Sequence, residues 1–284
     1  MNDFDLNITI VGLGLIGGSY AMAIKELNPR NIWGVDIDED ALSYAEAYGI
    51  IDQGYTDPTE PLAKSDLVII CLYPQSVLDF VKTHLHHFKP GAVITDATGI
   101  KERMLAEIEE ILPDNLQFVG GHPMTGREYS GVRHAMGDLF LGANYILTPT
   151  ARNDESSLQL IEQLAMRIGC KRVIRVTPQS HDQIIAYTSQ LPHLLASALI
   201  DGNIEDQTKY FVGGSFADAT RVAKINLALW PDLILENGEN VLRELDHFEG
   251  NIKALRSAIE RRDKAGLTAI FVKGNEKKDA MQDS

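Results

Sequence analysis

The stretch "NITIVGLGLIGGSYAMA", Asn7 to Ala23, decides how this chain is read. Its first six residues, Asn7 to Gly12, are a β-rich apolar run ended by glycine, which reads as a buried strand. The residues that follow carry three further glycines and then run without a breaker to Ala23, as a helix does. "NIWGVD", Asn31 to Asp36, supplies a second strand, so the first 36 residues form a strand, helix, strand unit.

The alternation continues. "DLVIICL" (Asp66 to Leu72), a helix from about Gln75, "AVITD" (Ala92 to Asp96), a helix from about Lys101 and "QFVG" (Gln117 to Gly120) extend it. Apolar strands separated by helix-length segments imply an α/β domain, a Rossmann-like and mostly parallel sheet covered on both faces. "ANYILTP" and "KRVIRVTP" add two strands around a helix from about Asp154 to Ile168. Past Pro178 no strand pattern survives, and Ser180 with Gln183 has the spacing of a capping box at the head of a long helix. The expected organisation is a nucleotide-binding domain over 1–177, an all-helical domain over 178–273 and a polar, frayed tail over 274–284.

The sequence has 284 residues, 44% hydrophobic and 23% charged, with a net charge of -14. That charge argues against nucleic acid or an anionic membrane as partners. No apolar run approaches the roughly 20 residues needed to cross a bilayer. The acidic start, leading straight into a strand, resembles neither a signal nor a transit peptide, so the expected location is cytoplasmic. Cys71 and Cys170 lack metal-type spacing and read as buried thiols, and no metal site is expected. An anionic substrate would be repelled by the overall field, so placed cations must attract it locally.

"VGLGLIGGS" holds GxGxxG as Gly12, Gly14 and Gly17. The motif alone is weak; its position after a strand, at the start of a helix and before Asp36 is what makes it specific. Gly12 allows the tight turn, Gly14 the approach of a pyrophosphate and Gly17 the packing of helix on strand. Leu15 and Ile16 complete the same loop at the helix N-terminus, where phosphate is held. Asp36 would accept from the ribose hydroxyls and repel a 2′-phosphate, which favours NAD over NADP.

"GGHPMTGRE", Gly120 to Glu128, reads as a tight connection carrying His122. His122 follows the strand at its carboxyl end, where open parallel sheets place their ligands. A base is needed there to take a hydroxyl proton during hydride transfer. The other histidines except His193, namely 84, 86, 87, 134, 181 and 247, read as structural or surface residues. In the first long helix of the second domain Asp182, Ala186, Ser189, His193 and Ser197 form a small, polar stripe, open to reading as a wet face or as part of a site. Pro192 should disturb that helix beside His193. Arg221, in "GGSFADATRVAK", offers a planar fork for a carboxylate, though an arginine alone is most often a surface charge.

Taken in order, "VGLGLIGGS", "GGHPMTGRE", "SQLPH" and "GGSFADATRVA" resemble the prephenate and arogenate dehydrogenase family of tyrosine biosynthesis, over nearly the whole chain. The closing "LWPDLILENGENVL" is similar to its helical dimerisation segment. The resemblance implies an NAD-dependent oxidoreductase, a homodimer formed through the helical domain, with a small anionic cyclohexadienyl substrate bound between domains. It implies that His122 is the base, that Ser189 and His193 contact substrate, that Arg221 holds a substrate carboxylate and that Glu128 gates the pocket by pairing with that arginine. Two departures stand out. Gly99 occupies the place of a family serine, leaving Thr98 beside it as a possible substitute contact, and Gln190 stands where many members have a second histidine. The implied reaction is oxidative decarboxylation of prephenate. Arogenate as substrate, a 3-hydroxy acid dehydrogenase with a lysine base, and a non-catalytic NAD-binding module are the alternatives.

Overall fold

A computed structural model describes residues 4–127, 129–202, 205 and 207–282. In the first domain strands and helices alternate as β1 (Asn7–Val11), α1 (Leu15–Lys25), β2 (Asn31–Val35), α2 (Glu39–Ala47), β3 (Gln53–Tyr55), α3 (Thr59–Lys64), β4 (Leu67–Ile70) and α4 (Pro74–His84). They continue as β5 (Val93–Asp96), α5 (Glu102–Ile111), β6 (Gln117–Pro123), β7 (Asn144–Thr148), α6 (Glu155–Arg167) and β8 (Arg172–Arg175). The strands make one sheet in the order β3-β2-β1-β4-β5-β6-β7-β8. β3 through β6 run parallel along it, and β7 turns antiparallel against β6 before pairing in parallel with β8. The mostly parallel, doubly covered sheet expected from the apolar strand pattern is what the chain forms.

The central strands feed two cores because their side chains alternate faces. Ile8, Ile10, Leu67 and Ile69 pack under α1, α2 and α6, while Val11, Val68, Ile70 and Ile94 pack under α3, α4 and α5. The order in which strands are added reverses between β1 and β4, which run parallel, and this opens a crevice beyond their carboxyl ends, the place where such sheets bind ligands.

The second domain contains α7 (Pro178–Ile185), α8 (Leu191–Ile200), α9 (Gly214–Thr220), α10 (Trp230–Glu236), α11 (Gly238–Glu260) and α12 (Lys264–Gln282). α7 and α8 are joined by a π-helical turn, Ala186–Gln190, in which the Leu191 N–H reaches back to the Ala186 carbonyl. Pro192, with no N–H to donate, sits in the turn that follows, so the disturbance expected beside His193 takes the form of a widened helix.

Three local expectations are corrected. Thr177, not Ser180, caps α7: its hydroxyl accepts from the Ser180 N–H at 3.1 Å, and Pro178 occupies the first helical position, where its missing N–H costs nothing. The polar stretch from 274 is helical as far as Gln282. β6 runs on through His122 and Pro123, because Gly121, His122 and Pro123 find partners in Leu147, Ile146 and Tyr145 of β7, so His122 stands on a strand rather than in a loop.

Candidate active site

The turn from β1 into α1 is shaped by what its glycines exclude. Gly12 has φ of +87°, and a Cβ there would lie 2.7 Å from the Cys71 carbonyl oxygen at the end of β4. A Cβ on Gly17 would lie 1.9 Å from the Gly12 carbonyl oxygen, so any side chain would push α1 off the strand. Gly14 differs: a Cβ would meet no protein atom within 4 Å, which leaves room for a ligand to approach the backbone. Gly14 is also the N-cap of α1, and no side chain caps this helix end, so its N-terminal amides are left to an anion. Leu15 and Ile16 form the first turn of α1. At the end of β2 the Asp36 carboxylate accepts from the Leu13 N–H at 2.6 Å and the Asp38 N–H at 3.0 Å, which fixes it beside the loop. Open backbone at a helix N-terminus with an adjacent carboxylate fits a dinucleotide.

At the carboxyl end of β6, His122 is partly exposed and its Nδ1 lies 2.9 Å from Nε2 of His181. His181 Nδ1 in turn lies 2.6 Å from Asp182 Oδ1. The Asp182 carboxylate also accepts the backbone N–H groups of Lys101 and Glu102, each at 2.9 Å, where α5 begins. Burial pushes the His122 imidazole well below the ordinary histidine range, and His181 and the Lys101 ammonium push it further. The ring is therefore neutral at physiological pH, as a proton acceptor must be.

Beneath this triad lies a buried ion pair. Lys101 and Asp96 are both fully buried; the ammonium bonds Asp96, the Thr98 carbonyl at 2.9 Å and the Thr98 hydroxyl at 2.8 Å. The other Asp96 oxygen accepts from the Gly121 N–H at 3.1 Å, next to His122. This network removes Thr98 from the expected substrate contacts: its hydroxyl is held on Asp96 and Lys101, and the residue is only 5% exposed. Gly99 is the residue that faces the base. A Cβ there would stand 4.0 Å from His122 Cε1 and 3.7 Å from Leu233 of α10.

From Leu233 the contacts lead to the other expected residues. One turn earlier in α10, Trp230 stacks on His193 with ring centroids 3.7 Å apart. His193 Nδ1 lies 2.8 Å from the Ser189 carbonyl, so its N–H donates there and Nε2 is left as an acceptor. Ser189, in the π-helical turn, is half-buried. Arg221 is exposed and follows α9; burial chiefly lowers the His193 pKa, and the Arg221 charge lowers it further, so the guanidinium belongs to this neighbourhood. Glu128 lies outside the described residues. Gln190 is buried and structural: it donates to the Leu233 carbonyl at 2.7 Å and accepts from Asn237 at 2.6 Å, which seats α10 over the site.

Sequence reasoning set His181 aside as structural and saw Asp182 only as part of a stripe. The available signal was a histidine beside a carboxylate in the first turns of the first helix after the domain boundary, where a domain contact has to form. Of the two thiols expected to be buried, Cys170 is and Cys71 is only partly covered; burial pushes both pKa values up, that of Cys170 to about 11. Among the described residues no cluster of His, Cys, Asp and Glu could hold a metal, and no helix is long and apolar enough to cross a membrane.

Residues 20–174 match the family model described as prephenate dehydrogenase, nucleotide-binding domain, and residues 177–273 match its dimerization domain. The glycine turn precedes the first of these ranges and rests on its own geometry. A prephenate dehydrogenase of Bacillus subtilis is 31% identical over 99% of this chain and 77% of its own length. A cyclohexadienyl dehydrogenase of Zymomonas mobilis is 32% identical, covering 90% of this chain and 89% of its own. The crystal structure of Aquifex aeolicus prephenate dehydrogenase with hydroxyphenyl propionate and NAD+ superposes with a TM-score of 0.87 at 32% identity, over 97% of this chain and 98% of that one. Synechocystis arogenate dehydrogenase does so at 0.84 and 26%, over 96% and 99%.

Proposed function

This chain belongs to the prephenate dehydrogenase family, and on that premise we propose that it oxidatively decarboxylates prephenate to 4-hydroxyphenylpyruvate with NAD, as a cytoplasmic homodimer. The observation that carries the reading is His122: a neutral imidazole at the carboxyl end of the sheet, engaged through Nδ1 by His181 and faced on its ring edge by Gly99, which brings no side chain against it.

The substrate is a cyclohexadienol with a hydroxyl at C4 and a carboxylate at C1. Gly12, Gly14, Leu15, Ile16, Gly17 and Asp36 hold the dinucleotide, and NAD, when bound, supplies the hydride acceptor. His122 takes the proton of the ring hydroxyl as the C4 carbon is oxidised, which prevents charge from building on the alcohol oxygen. Loss of the C1 carboxylate as carbon dioxide then restores an aromatic ring. Aromatisation drives the reaction, so the protein needs only to position the substrate and accept a proton. Arg221 supplies the local positive charge that an acidic protein otherwise lacks, and His193 and Ser189 border the same space. The dimer is supported by large apolar side chains left exposed on a single chain of the helical domain, among them Leu199, Leu235, Leu242 and Ile259.

The test is reduced-nicotinamide formation by purified protein given prephenate or arogenate, each with NAD and with NADP. Turnover of prephenate with NAD is expected; turnover of arogenate alone would reassign the substrate, and no turnover of either would leave a nucleotide-binding module. Asp36→Ser should erode the preference for NAD over NADP with little effect on kcat.

A further inference from the structure

Two histidines and a carboxylate in line raise a question that the distances answer: on which nitrogen does each ring carry its proton? The Asp182 carboxylate is an acceptor only, and it is held in place by the N–H groups of Lys101 and Glu102 at the head of α5. His181 Nδ1, 2.6 Å from it, must therefore carry a proton. His181 is buried, only 2% exposed, and a neutral ring with its proton on Nδ1 has a bare Nε2. That Nε2 is 2.9 Å from Nδ1 of His122, so the proton between them belongs to His122. The lone pair of His122 then lies on Nε2, the nitrogen that His181 does not occupy.

We infer that His181 and Asp182 are positioning residues that lock His122 in the Nδ1–H tautomer and so aim its basic Nε2 at the substrate. The inference rests on the reading of His122 as the base. When Nε2 takes the hydroxyl proton, the imidazolium keeps its Nδ1–H bond to His181; no proton needs to travel further, and no bond is made or broken beyond the O–H and the new N–H. The lock spans the domain boundary. Lys101 and Glu102 belong to the sheet domain, His181 and Asp182 to α7, and the Asp182 carbonyl is tied to Asn237 of the helical domain at 2.8 Å. The base is set in its working form only where α7 is docked on α5.

The charged and titratable groups facing the pair are few: Lys101 acts on both rings, with Asp182 and Asp96 acting on His181. Asp182→Asn keeps the side-chain shape; an amide oxygen in the place of Oδ2 can still accept the Glu102 N–H, while the amide nitrogen replaces Oδ1, which accepts from both Lys101 and His181. Its NH₂ would then face His181 Nδ1, reversing the order of donors and placing the His122 proton on Nε2, where it blocks the base.

The test uses the full-length enzyme labelled with ¹⁵N-histidine, with imidazole nitrogen shifts read beside steady-state kinetics. The expected result is Nδ1–H for both His122 and His181 in the wild type, with both reversed in Asp182→Asn. In that variant kcat should fall by roughly 10²- to 10⁴-fold, the range for losing a general base, with KM little changed. His181→Phe, which fills the slot with a ring that neither donates nor accepts, should lower kcat by about 10- to 100-fold, the usual cost of losing an orienting partner. A wild-type His122 protonated on Nε2 would overturn the inference, and so would variants that lose thermal stability but keep kcat. If Asp182→Asn does not fold, the wild-type shifts and His181→Phe decide the matter. Failure of the wild type to oxidise either cyclohexadienyl acid would reject the catalytic reading instead, while the shifts would still report whether the tautomers are as inferred.

Discussion

The glycine turn and the His122 site lie at the same end of one sheet, at the carboxyl ends of β1 and β6, but are put together differently. The turn draws its parts from residues 12–36: three glycines, one helix end and one carboxylate. The site takes His122 from β6, Gly99 from the turn after β5, His181 and Asp182 from α7, and Leu233 from α10. Backbone sterics shape the first, since a side chain at Gly12 or Gly17 would strike the main chain. Packing between two domains shapes the second. Damage at the domain contact should therefore cost catalysis and leave nucleotide binding in place.

His122→Asn puts that separation to its strongest test. It keeps the size of the ring's polar edge and removes the proton acceptor, so kcat should drop by roughly 10²- to 10⁴-fold, about 2.7 to 5.5 kcal/mol of barrier. KM for the cyclohexadienyl acid and the affinity for NAD should hardly move. Steady-state kinetics together with nucleotide titration would show it, and a variant of unaltered kcat would end the base assignment.

Lys101→Met probes the support under the site. Removing one member of a fully buried pair leaves Asp96 charged and unpaired, which typically costs about 3 to 5 kcal/mol. Chemical denaturation should show a loss of that order, and the variant, where folded, should bind nucleotide normally but turn over slowly, because Asp96 also orders the Gly121 amide beside His122. A loss under about 1 kcal/mol, the median worth of an exposed pair, would mean that Asp96 has found another partner.

These contrasts also explain what the sequence made legible. Gly12, Gly14, Gly17 and Asp36 form a local pattern whose spacing is set by one turn of backbone, and a local pattern can be read off one string of letters. The strands were legible for the same reason, their burial being written in unbroken runs such as "LVII" of β4. His122 was singled out through its place after a strand, but the strand itself runs three residues further because β7 pairs with it, and β7 lies more than twenty residues away in the chain. His181 was read as structural because the partner that gives it a part in the site, His122, is 59 residues upstream. Thr98 was misjudged for a related reason. Its hydroxyl points inward to Lys101, a lysine whose complete burial no periodicity reveals.

Arg221→Gln tests the part of the site furthest from the base. Its charge-assisted contact with a carboxylate would be made in ground and transition states alike, so the effect should fall on KM. A loss of about 1.5 to 3 kcal/mol, usual for hydrogen bonds to charged groups, corresponds to a KM roughly 10- to 150-fold higher with kcat nearly kept. Kinetics over a wide substrate range would resolve it; an unchanged KM would remove Arg221 from the substrate site.

The smallest expected effect concerns stability rather than turnover, and it arises from the same two histidines. Burial lowers the pKa of His122, with His181 and Lys101 adding to the shift; burial also lowers that of His181, where the hydrogen bond to Asp182 opposes the shift and Lys101 reinforces it. In the unfolded chain both rings return to about 6.5. Between the lowered folded value and 6.5 the unfolded state therefore binds more protons than the folded one, so stability rises with pH through that window and is lost on acidification below about 6.5. Each fully shifted ring can contribute at most about 1.4 kcal/mol per pH unit. Chemical denaturation at a series of pH values from neutrality down to about 5 should show a falling unfolding free energy, and His181→Phe should flatten the slope by removing one of the two protons. The glycine turn has no histidine, so nucleotide affinity measured well below the unfolding transition should stay level over the same range. A wild-type stability that is flat would show that the two rings titrate in the folded protein as they do unfolded, and one that rises on acidification that they hold their protons in the fold; a protonated His122 has no lone pair to offer.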